Sequence, residues 1–431
     1  MTQTIFTDAM VFDGVDEIQY KYVVIDNGTI SRLVKATEAF TVPEDAILID
    51  MTGYMLLPGF FDAHTHTSVD GLQTALRFGV TTELEMMGGF TKKGREAQLT
   101  GKKGLADVFS AGMGLTAPKG HPDELIPDND GGIPEFVLKE MAAMSDSERE
   151  AFIKAHEGQH EHGTVAIDSP EKAVEFVQKQ IADGADYIKI MIEEGTVLAA
   201  PGLPILSDDI LRAGIEEAHR NGKLVLAHTL TAASAKKAVE LGVNGLAHLF
   251  IDRPDWTPEL IQMIQTRHVF VIPTLVLGGS ISGNITQNIA ADPRVVSRLS
   301  DDWVKTLRAS FDTAPDIKFQ DSLDNVADLF HSHVPILAGT DVSNPDPSLG
   351  GLAHGASVHH ELQLLVQAGL SNKDALAAAT SIPAAIFGLS DRGTIAEGKN
   401  ADLFVVKGNP LHNIADTLNI VGVWKEGERQ I

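Results

Sequence analysis

The chain has 431 residues, which suits one (β/α)8 barrel of roughly 250 residues with a smaller module beside it. Its 34 basic and 59 acidic residues give a net charge of −25, which disfavours binding to nucleic acid or to an anionic membrane surface. Because it contains no cysteine, disulfides, thiolate nucleophiles and cysteine-bound metals are excluded, and any metal must bind to histidine, carboxylate or modified side chains.

Short apolar runs separated by turn signals predict a small sheet at each end of the chain. These runs cover residues 9–12, 22–25, 46–49, 401–406 and 420–425. Neither end can bury a sheet face alone, so we expect residues 1–56 and 386–431 to form one composite β-sandwich. No apolar run approaches the roughly 18 residues of a membrane span, and the first residues do not resemble a signal peptide. The expected location is therefore the cytoplasm.

The middle of the chain alternates helix and strand patterns, most clearly from Ser169 to Thr274. Helix starts such as Ser169-Pro170-Glu171 are followed by strand patterns at 187–191, 224–228, 245–249 and 269–274. Successive βα units predict a parallel sheet, and the length of residues 57–385 favours a closed (β/α)8 TIM barrel over an open sheet. Residues 334–341 predict the eighth strand. Residues 88–163, rich in glycine, proline and charge, predict long loops over one barrel face.

The apolar run from Leu56 to His66 predicts one strand that ends in two histidines. His64 and His66 are two residues apart, so in a strand both imidazoles point to the same side. At the carboxyl end of a barrel strand that side is the active-site mouth, which favours metal binding. Two polar loop residues are the alternative interpretation.

Lys189 lies inside the apolar run from Tyr187 to Ile192. Burying an unpaired ammonium group costs several kcal/mol, so this lysine needs either a partner or a different chemical form. An ion pair with Glu193 or Glu194 is one solution. The other is a neutral amine of lowered pKa, which can take up CO2 as a carbamate able to bridge two cations.

Three more residues end predicted barrel strands. His228 and His248 are one βα unit apart, so they should stand on adjacent strands at the same height. Asp341 ends the predicted eighth strand. Because the carboxyl ends of barrel strands meet at one mouth, we expect these side chains near His64 and His66.

Taken in order, these residues resemble the ligand set of the binuclear amidohydrolase superfamily: His64-x-His66, Lys189, His228, His248 and Gly339-Thr340-Asp341. The resemblance extends to Leu57-Pro58-Gly59-Phe60-Phe61-Asp62 and to a series of later motifs. The later motifs are Ala375 to Thr380, Pro383-Ala384-Ala385, Gly388-Leu389, Gly393-Thr394-Ile395, Gly398 and Ala401-Asp402-Leu403. Within the superfamily the chain is similar to the branch of imidazolonepropionase, prolidase-like peptidases and ochratoxin-type amidases.

The resemblance implies an amidohydrolase with two divalent metal ions, expected to be zinc, and a CO2-derived carbamate on Lys189. One ion would bind to His64, His66 and Asp341. The carbamate would bridge this ion to a second ion, which would bind to His228 and His248. A metal-bridging hydroxide would attack the amide bond of a peptide-like, N-acyl amino acid or cyclic amide substrate. Asp341 would be the catalytic proton carrier.

The sequence indicates fewer of the residues that contact the substrate than of those that bind metal. His121 resembles a Gly-His that the same branch places near substrate. Leu230 stands where prolidase-like members commonly carry an aromatic residue or histidine, so dipeptide-like recognition is not implied. We expect a small-molecule substrate and a homo-oligomer, with neither a nucleic acid nor a membrane as partner.

Three alternatives stay open at this point. The same site could hydrolyse a lactone or ester, or the barrel could be a binding protein without activity. The segment His156-Glu157-Gly158-Gln159-His160 also matches the H-E-x-x-H pattern of zincin peptidases, in which His156 and His160 bind zinc and Glu157 is the base. Against a zincin, Gly158 weakens the required helix and no third ligand is identifiable.

Overall fold

The computed structural model describes residues 2–125, 167–284 and 287–431. In chain order the strands are β1 (Thr4–Phe12), β2 (Glu17–Asp26), β3 (Thr29–Val34), β4 (Ile47–Asp50), β5 (Tyr54–Pro58), β6 (Phe60–Thr65), β7 (Val80–Glu85), β8 (Asp107–Ser110), β9 (Ile188–Met191), β10 (Val225–His228), β11 (Gly245–Leu246), β12 (Phe270–Val271), β13 (Leu403–Lys407), β14 (Ile420–Lys425) and β15 (Glu428–Arg429).

The helices of the same residues are α1 (Val69–Leu76), α2 (Lys92–Gln98), α3 (Pro170–Asp183), α4 (Asp208–Arg220), α5 (Ala232–Leu241), α6 (Thr257–Thr266), α7 (Leu275–Ile281), α8 (Gln287–Ala290), α9 (Pro293–Val296), α10 (Asp301–Leu307), α11 (Phe319–His331), α12 (Ala356–Gln367), α13 (Asn372–Ala378) and α14 (Ser381–Ile386). In the part of the chain described, no helix combines the length and the apolar character needed to cross a membrane.

Strands from both chain ends share one eight-stranded sheet, called the terminal sheet below. Its order is β15-β14-β13-β5-β1-β2-β3, and β4 pairs with β1. β13 runs antiparallel to β5, which joins the C-terminal strands to the N-terminal ones. Apolar side chains pack on this sheet, with the rings of Phe6 and Trp424 meeting edge-on at 5.0 Å. The predicted composite β-sandwich is confirmed, whereas its limits at residues 56 and 386 stay a prediction.

The barrel strands lie parallel in two runs, β6-β7-β8 and β12-β11-β10-β9. Single bridges between Leu115 and Ile190, and between Val271 and Ile336, join these runs to each other and to the eighth strand. The N–H of Asp341 then donates to the His64 carbonyl at 2.8 Å, which closes the ring. The predicted TIM barrel is confirmed.

Helix α3 illustrates how local sequence determines an element. The Ser169 hydroxyl accepts a hydrogen bond from the N–H of Lys172, and Pro170 occupies the first turn. Gly184 ends the helix with φ 85, in the left-handed region that glycine adopts without strain. The helix predicted from Ser169 to Gly184 is therefore confirmed at both ends.

The single strand predicted from Leu56 to His66 is wrong, because the chain changes sheet within it. β5 belongs to the terminal sheet and β6 to the barrel, with Gly59 between them. A Cβ at Gly59 would lie 2.1 Å from the Thr81 hydroxyl oxygen, so only glycine fits at this crossing. The Gly59 N–H donates to the carbonyl of Asp402 at 2.8 Å, which anchors the crossing to the terminal sheet.

The loops predicted over residues 88–163 need a similar correction. The described part of this segment contains helix α2 and the third barrel strand, β8. Helix α2 begins after Thr91, whose hydroxyl accepts a hydrogen bond from the N–H of Gly94. The remainder of the segment, which includes His156, Glu157 and His160, lies outside the described residues.

Candidate active site

Three potential ligand atoms converge where the first and eighth barrel strands end. The Nε2 atoms of His64 and His66 lie 2.9 Å and 3.1 Å from the same oxygen of Asp341, Oδ1. All three ligand atoms lie within 4.8 Å of one another. The two-residue spacing of the histidines therefore places both rings on the mouth side of the barrel, as the sequence predicts.

Asp62 holds the backbone of this group in place. Its carboxylate accepts hydrogen bonds from the Thr340 hydroxyl at 2.6 Å and from the Thr340 N–H at 3.0 Å. The N–H of His64 lies 3.3 Å from the same carboxylate. Asp341 itself has φ 64, a left-handed conformation that aspartate tolerates better than most residues. Asp62 thus positions both strand ends that carry the potential ligands.

Lys189, His228 and His248 extend the group across strands β9, β10 and the end of β11. Lys189 Nζ lies 3.5 Å from the Nε2 atom of His64. The ring centroid of His248 is 4.4 Å from that of His64 and 4.6 Å from that of His228. These residues and the preceding three form a continuous set, called the mouth cluster below: His64, His66, Lys189, His228, His248 and Asp341.

Burial governs the charges of the mouth cluster. It lowers the pKa of Lys189 to about 7, although Asp341 acts in the opposite direction. Burial and the neighbouring Lys189 lower the pKa of His64 to about 3. Burial also holds the pKa values of His228 and His248 well below the usual range. Burial therefore favours the neutral forms of the three histidine rings and leaves a substantial neutral fraction of Lys189 near pH 7. Neutral imidazoles bind metals, and a neutral amine reacts with CO2.

Asp341 and His66 behave differently. Burial opposes the ionisation of Asp341, but the nearby rings of His64 and His248 hold its pKa well below the usual range. Burial also opposes a charge on His66, but its hydrogen bond with Asp341 raises the pKa of the ring. Asp341 is thus the anionic centre of the mouth cluster.

The ion pair considered for Lys189 is not formed among the residues described. Glu193 accepts the N–H of Gly195 at 2.7 Å, and its other oxygen lies 3.3 Å from Nε2 of His228. Glu194 contacts the hydroxyl of Thr196. Lys189 is 1% exposed, so the structure buries its amine without pairing it to either glutamate.

His121 lies beside the mouth cluster, next to His228. The two ring centroids are 4.2 Å apart. The Nδ1 atom of His121 lies 2.6 Å from Glu124 Oε1, which orients the ring. Leu230, at the position that departs from the prolidase-like pattern, is buried. Every predicted site residue of the amidohydrolase set is therefore near the others, whereas the H-E-x-x-H residues lie outside the described part of the chain.

Two features of the site were missed at the level of sequence. Thr274 Oγ1 lies 2.9 Å from Nδ1 of His248, and the only sequence signal is that Thr274 ends a predicted strand. His354 forms a fully buried pair with Glu83, with 2.7 Å between Nδ1 and Oε1. Its Nε2 atom lies 3.0 Å from the Ser343 carbonyl oxygen, so His354 supports the turn after Asp341.

Similar proteins agree with this architecture. The family model described as "Amidohydrolase family" matches residues 55–429. Ochratoxinase from Aspergillus niger is 24% identical over 415 residues, which cover 87% of this chain and 75% of that protein. A Xaa-Pro dipeptidase with bound methionine has a TM-score of 0.71 at 20% identity, covering 99% of both chains. Phenylurea hydrolase B has a TM-score of 0.73 at 19% identity, covering 99% of this chain and 96% of that one.

The structural neighbours carry the same barrel with a separate β-sandwich, and the sequence match spans both parts of this chain. The resemblance inferred from the motifs is confirmed for the superfamily and for its prolidase and ochratoxinase type of branch. The chain belongs to the amidohydrolase family and is a hydrolase that acts on C–N bonds.

Proposed function

We propose that the mouth cluster is the metal centre of an amide hydrolase that acts on a small molecule. The observation that carries this proposal is the convergence of His64, His66 and Asp341, whose ligand atoms lie within 4.8 Å of one another. The site stands at the carboxyl ends of barrel strands, which is where enzymes of this fold perform their chemistry.

The donor atoms fit a divalent cation. The Nδ1–H of His66 donates to the Met87 carbonyl at 3.0 Å, so a neutral His66 ring points the lone pair of Nε2 at Asp341. A lone pair facing a carboxylate oxygen at 3.1 Å is unfavourable unless a proton or a cation lies between them. Imidazole and carboxylate are donors that zinc accepts.

In this proposal His64, His66 and Asp341 would hold one divalent ion, and His228 and His248 would hold a second. The neutral amine of Lys189 would add to CO2 and release a proton, and the resulting carbamate would supply an anionic ligand to both ions. The burial of Lys189 without an ion pair to Glu193 or Glu194, and its pKa of about 7, support an amine that is neutral often enough near pH 7 to react. When bound, such ions polarise a carbonyl group and lower the pKa of a water ligand to about 7.

The chain's own residues then handle the proton and the substrate. Asp341 accepts the proton of the attacking water and delivers it to the leaving nitrogen as the C–N bond breaks. His121 contacts the substrate from the side of His228, with Glu124 orienting its ring. The similar dipeptidase and ochratoxinase support an amide of an amino acid as the substrate class.

Metal removal and reconstitution test this function. Purified protein should contain about two divalent ions per chain, lose hydrolysis when a chelator strips them, and regain it with zinc, faster when bicarbonate is supplied. The substrates are a panel of N-acyl amino acids, dipeptides, lactams and lactones. Full activity of the stripped protein would contradict the proposal. One ion per chain would favour the zincin alternative, and activity on lactones alone would favour the ester-type alternative.

A further inference from the structure

The ring of His248 has one polar contact that points away from the mouth cluster. Its Nδ1 atom lies 2.9 Å from Thr274 Oγ1, and both residues are 1% exposed. A neutral imidazole carries a hydrogen on one nitrogen and a lone pair on the other. If Nδ1–H donates to the Thr274 hydroxyl, Nε2 is left with the lone pair that a cation needs.

Thr274 has an unusual backbone. It adopts φ 46 and ψ 50, the left-handed region, immediately before helix α7. This conformation is costly for a β-branched residue, on the order of 1–3 kcal/mol, and persists only where the surroundings enforce it. Some other contact must therefore keep Thr274 in this geometry.

Glu361 supplies that contact from helix α12. Its side chain is fully buried, and its Oε1 and Oε2 atoms accept hydrogen bonds from the N–H groups of Leu275 and Val276, each at 2.9 Å. These are the two residues that follow Thr274. Burial raises the pKa of Glu361 to about 8, and the hydrogen bonds from these two N–H groups act in the opposite direction because they stabilise the carboxylate. Glu361 is thus bound to the first turn of helix α7, directly after the left-handed Thr274.

We propose that Thr274 and Glu361 are positioning residues for His248. Glu361 binds the two N–H groups after Thr274, which keeps Thr274 left-handed, and the Thr274 hydroxyl then sets the tautomer and the orientation of the His248 ring. This inference rests on the proposed metal centre, because it concerns the binding of the second ion. Neither residue touches the substrate in this scheme.

Substitutions at Thr274 test the hydroxyl directly. Thr274→Val keeps the branched shape and removes the hydroxyl, whereas Thr274→Ser keeps the hydroxyl. The measurement is the affinity of the full-length, metal-stripped chain for each zinc ion by competition with a chelator. We expect Thr274→Val to lower the affinity for one of the two zinc ions about 10- to 100-fold, which is the range for hydrogen-bond partners of metal-bound histidines. Thr274→Ser should keep both zinc affinities within about 3-fold of the wild type.

Thr229 offers a matched control. It follows His228 as a fully buried threonine, and its hydroxyl has no hydrogen-bond partner among the residues described. Thr229→Val should leave both zinc affinities within about 3-fold of the wild type. If wild type binds two ions and Thr274→Val binds both as tightly, the inference is overturned while the proposed function stands. A wild-type chain that binds no zinc would instead overturn the proposed function and this inference together.

Glu361→Gln tests the second step. The amide retains one oxygen acceptor, but its NH2 group cannot accept the other backbone N–H. We expect Glu361→Gln to lower the affinity for the same zinc ion as Thr274→Val does. In the double variant it should add little further loss of affinity, because both residues act through the His248 ring. Fully additive losses of affinity in the double variant would show that Glu361 acts independently of Thr274. This result would overturn the proposal that Glu361 positions His248 through Thr274.

Discussion

Two buried groups of charged side chains differ in how their charges are satisfied. The mouth cluster is one, and the second, called the junction network, joins Arg392, Lys425, Asp107 and Asp402 where the barrel meets the terminal sheet. Lys425 Nζ lies 2.9 Å from Asp107 Oδ2 and 3.0 Å from Asp402 Oδ2. Arg392 contacts Asp107 and the Thr82 hydroxyl. Every cation of the junction network therefore faces an anion.

The pKa values of the two buried lysines, Lys189 in the mouth cluster and Lys425 in the junction network, shift in opposite directions. Burial lowers the pKa of Lys425, but the charges of Asp107 and Asp402 outweigh it and raise that pKa. Burial lowers the pKa of Lys189 to about 7, and Asp341 does not offset it. Paired buried charges join parts of the fold, whereas a buried amine without a matching anion is prepared for chemistry. Substitutions in the mouth cluster should therefore lower the rate of hydrolysis, and substitutions in the junction network should lower the free energy of unfolding.

Asp341→Asn should have the largest effect. Asparagine keeps the shape and tolerates the left-handed backbone, but it cannot carry the proton to the leaving nitrogen. We expect kcat to fall at least about 10²-fold, the lower end of the range for general acid–base catalysis. Steady-state rates on the best substrate, with the melting temperature of the metal-free protein as the control, check this. Activity within a few-fold of the wild type would remove Asp341 from the mechanism.

Lys189→Ala should be the next most damaging change. Without the carbamate, two cations would repel one another, so affinity for one ion should fall by at least about 10- to 100-fold and hydrolysis should fall with it. A small carboxylate such as acetate should restore part of the activity, while an amine of the same size should not. Full metal content and an unchanged rate in Lys189→Ala would contradict the bridging role.

Lys425→Met tests the other side of the comparison. It removes the partner of buried Asp402 and should destabilise the fold by about 3 kcal/mol, the lower end for breaking a buried ion pair, with little effect on kcat. The loss is read from the free energy of unfolding in urea. A large fall in kcat with unchanged stability would reverse the assignment of the two groups.

The same network predicts how this stability depends on pH. Burial raises the pKa of Asp107, but Lys425 and Arg392 outweigh it and lower that pKa. The contribution of Asp107 to the free energy of unfolding is therefore fully present above its unfolded pKa. It is lost as the pH falls through the folded value. The raised pKa of Lys425 gives a contribution that is present below its unfolded pKa and lost as the pH rises through the folded value. The free energies of unfolding of the wild type and of Lys425→Met should therefore converge at both low and high pH.

Glu157→Gln should have the smallest effect. If the mouth cluster performs the hydrolysis, removing this carboxylate should leave kcat within a few-fold of the wild type. Rates and metal content measured beside Asp341→Asn check this. A loss as deep as that of Asp341→Asn would support the zincin alternative.

Local patterns in the sequence predicted the barrel and the terminal sheet, and together with the resemblance to the amidohydrolase superfamily they predicted the membership of the mouth cluster. The two-residue spacing of His64 and His66 directs both rings to one side of a strand. The 20-residue separation of His228 and His248 places them on adjacent strands, and the apolar run around Lys189 predicts its burial. The placement of the histidines needs only the period of an element and the rule that parallel barrel strands end at one mouth, whereas the place of Lys189 in the cluster came from the family resemblance.

Only the tertiary structure decided how these side chains are held. Glu83 and His354 pair across 271 residues, and Glu361 reaches the start of helix α7 across 86 residues. The backbone of Thr274 is left-handed because a distant carboxylate binds the N–H groups after it, and the change of sheet at Gly59 depends on the approach of Thr81. Such contacts leave no periodic trace in the sequence, because the partner is determined by the packing of separate elements and not by the residues beside it.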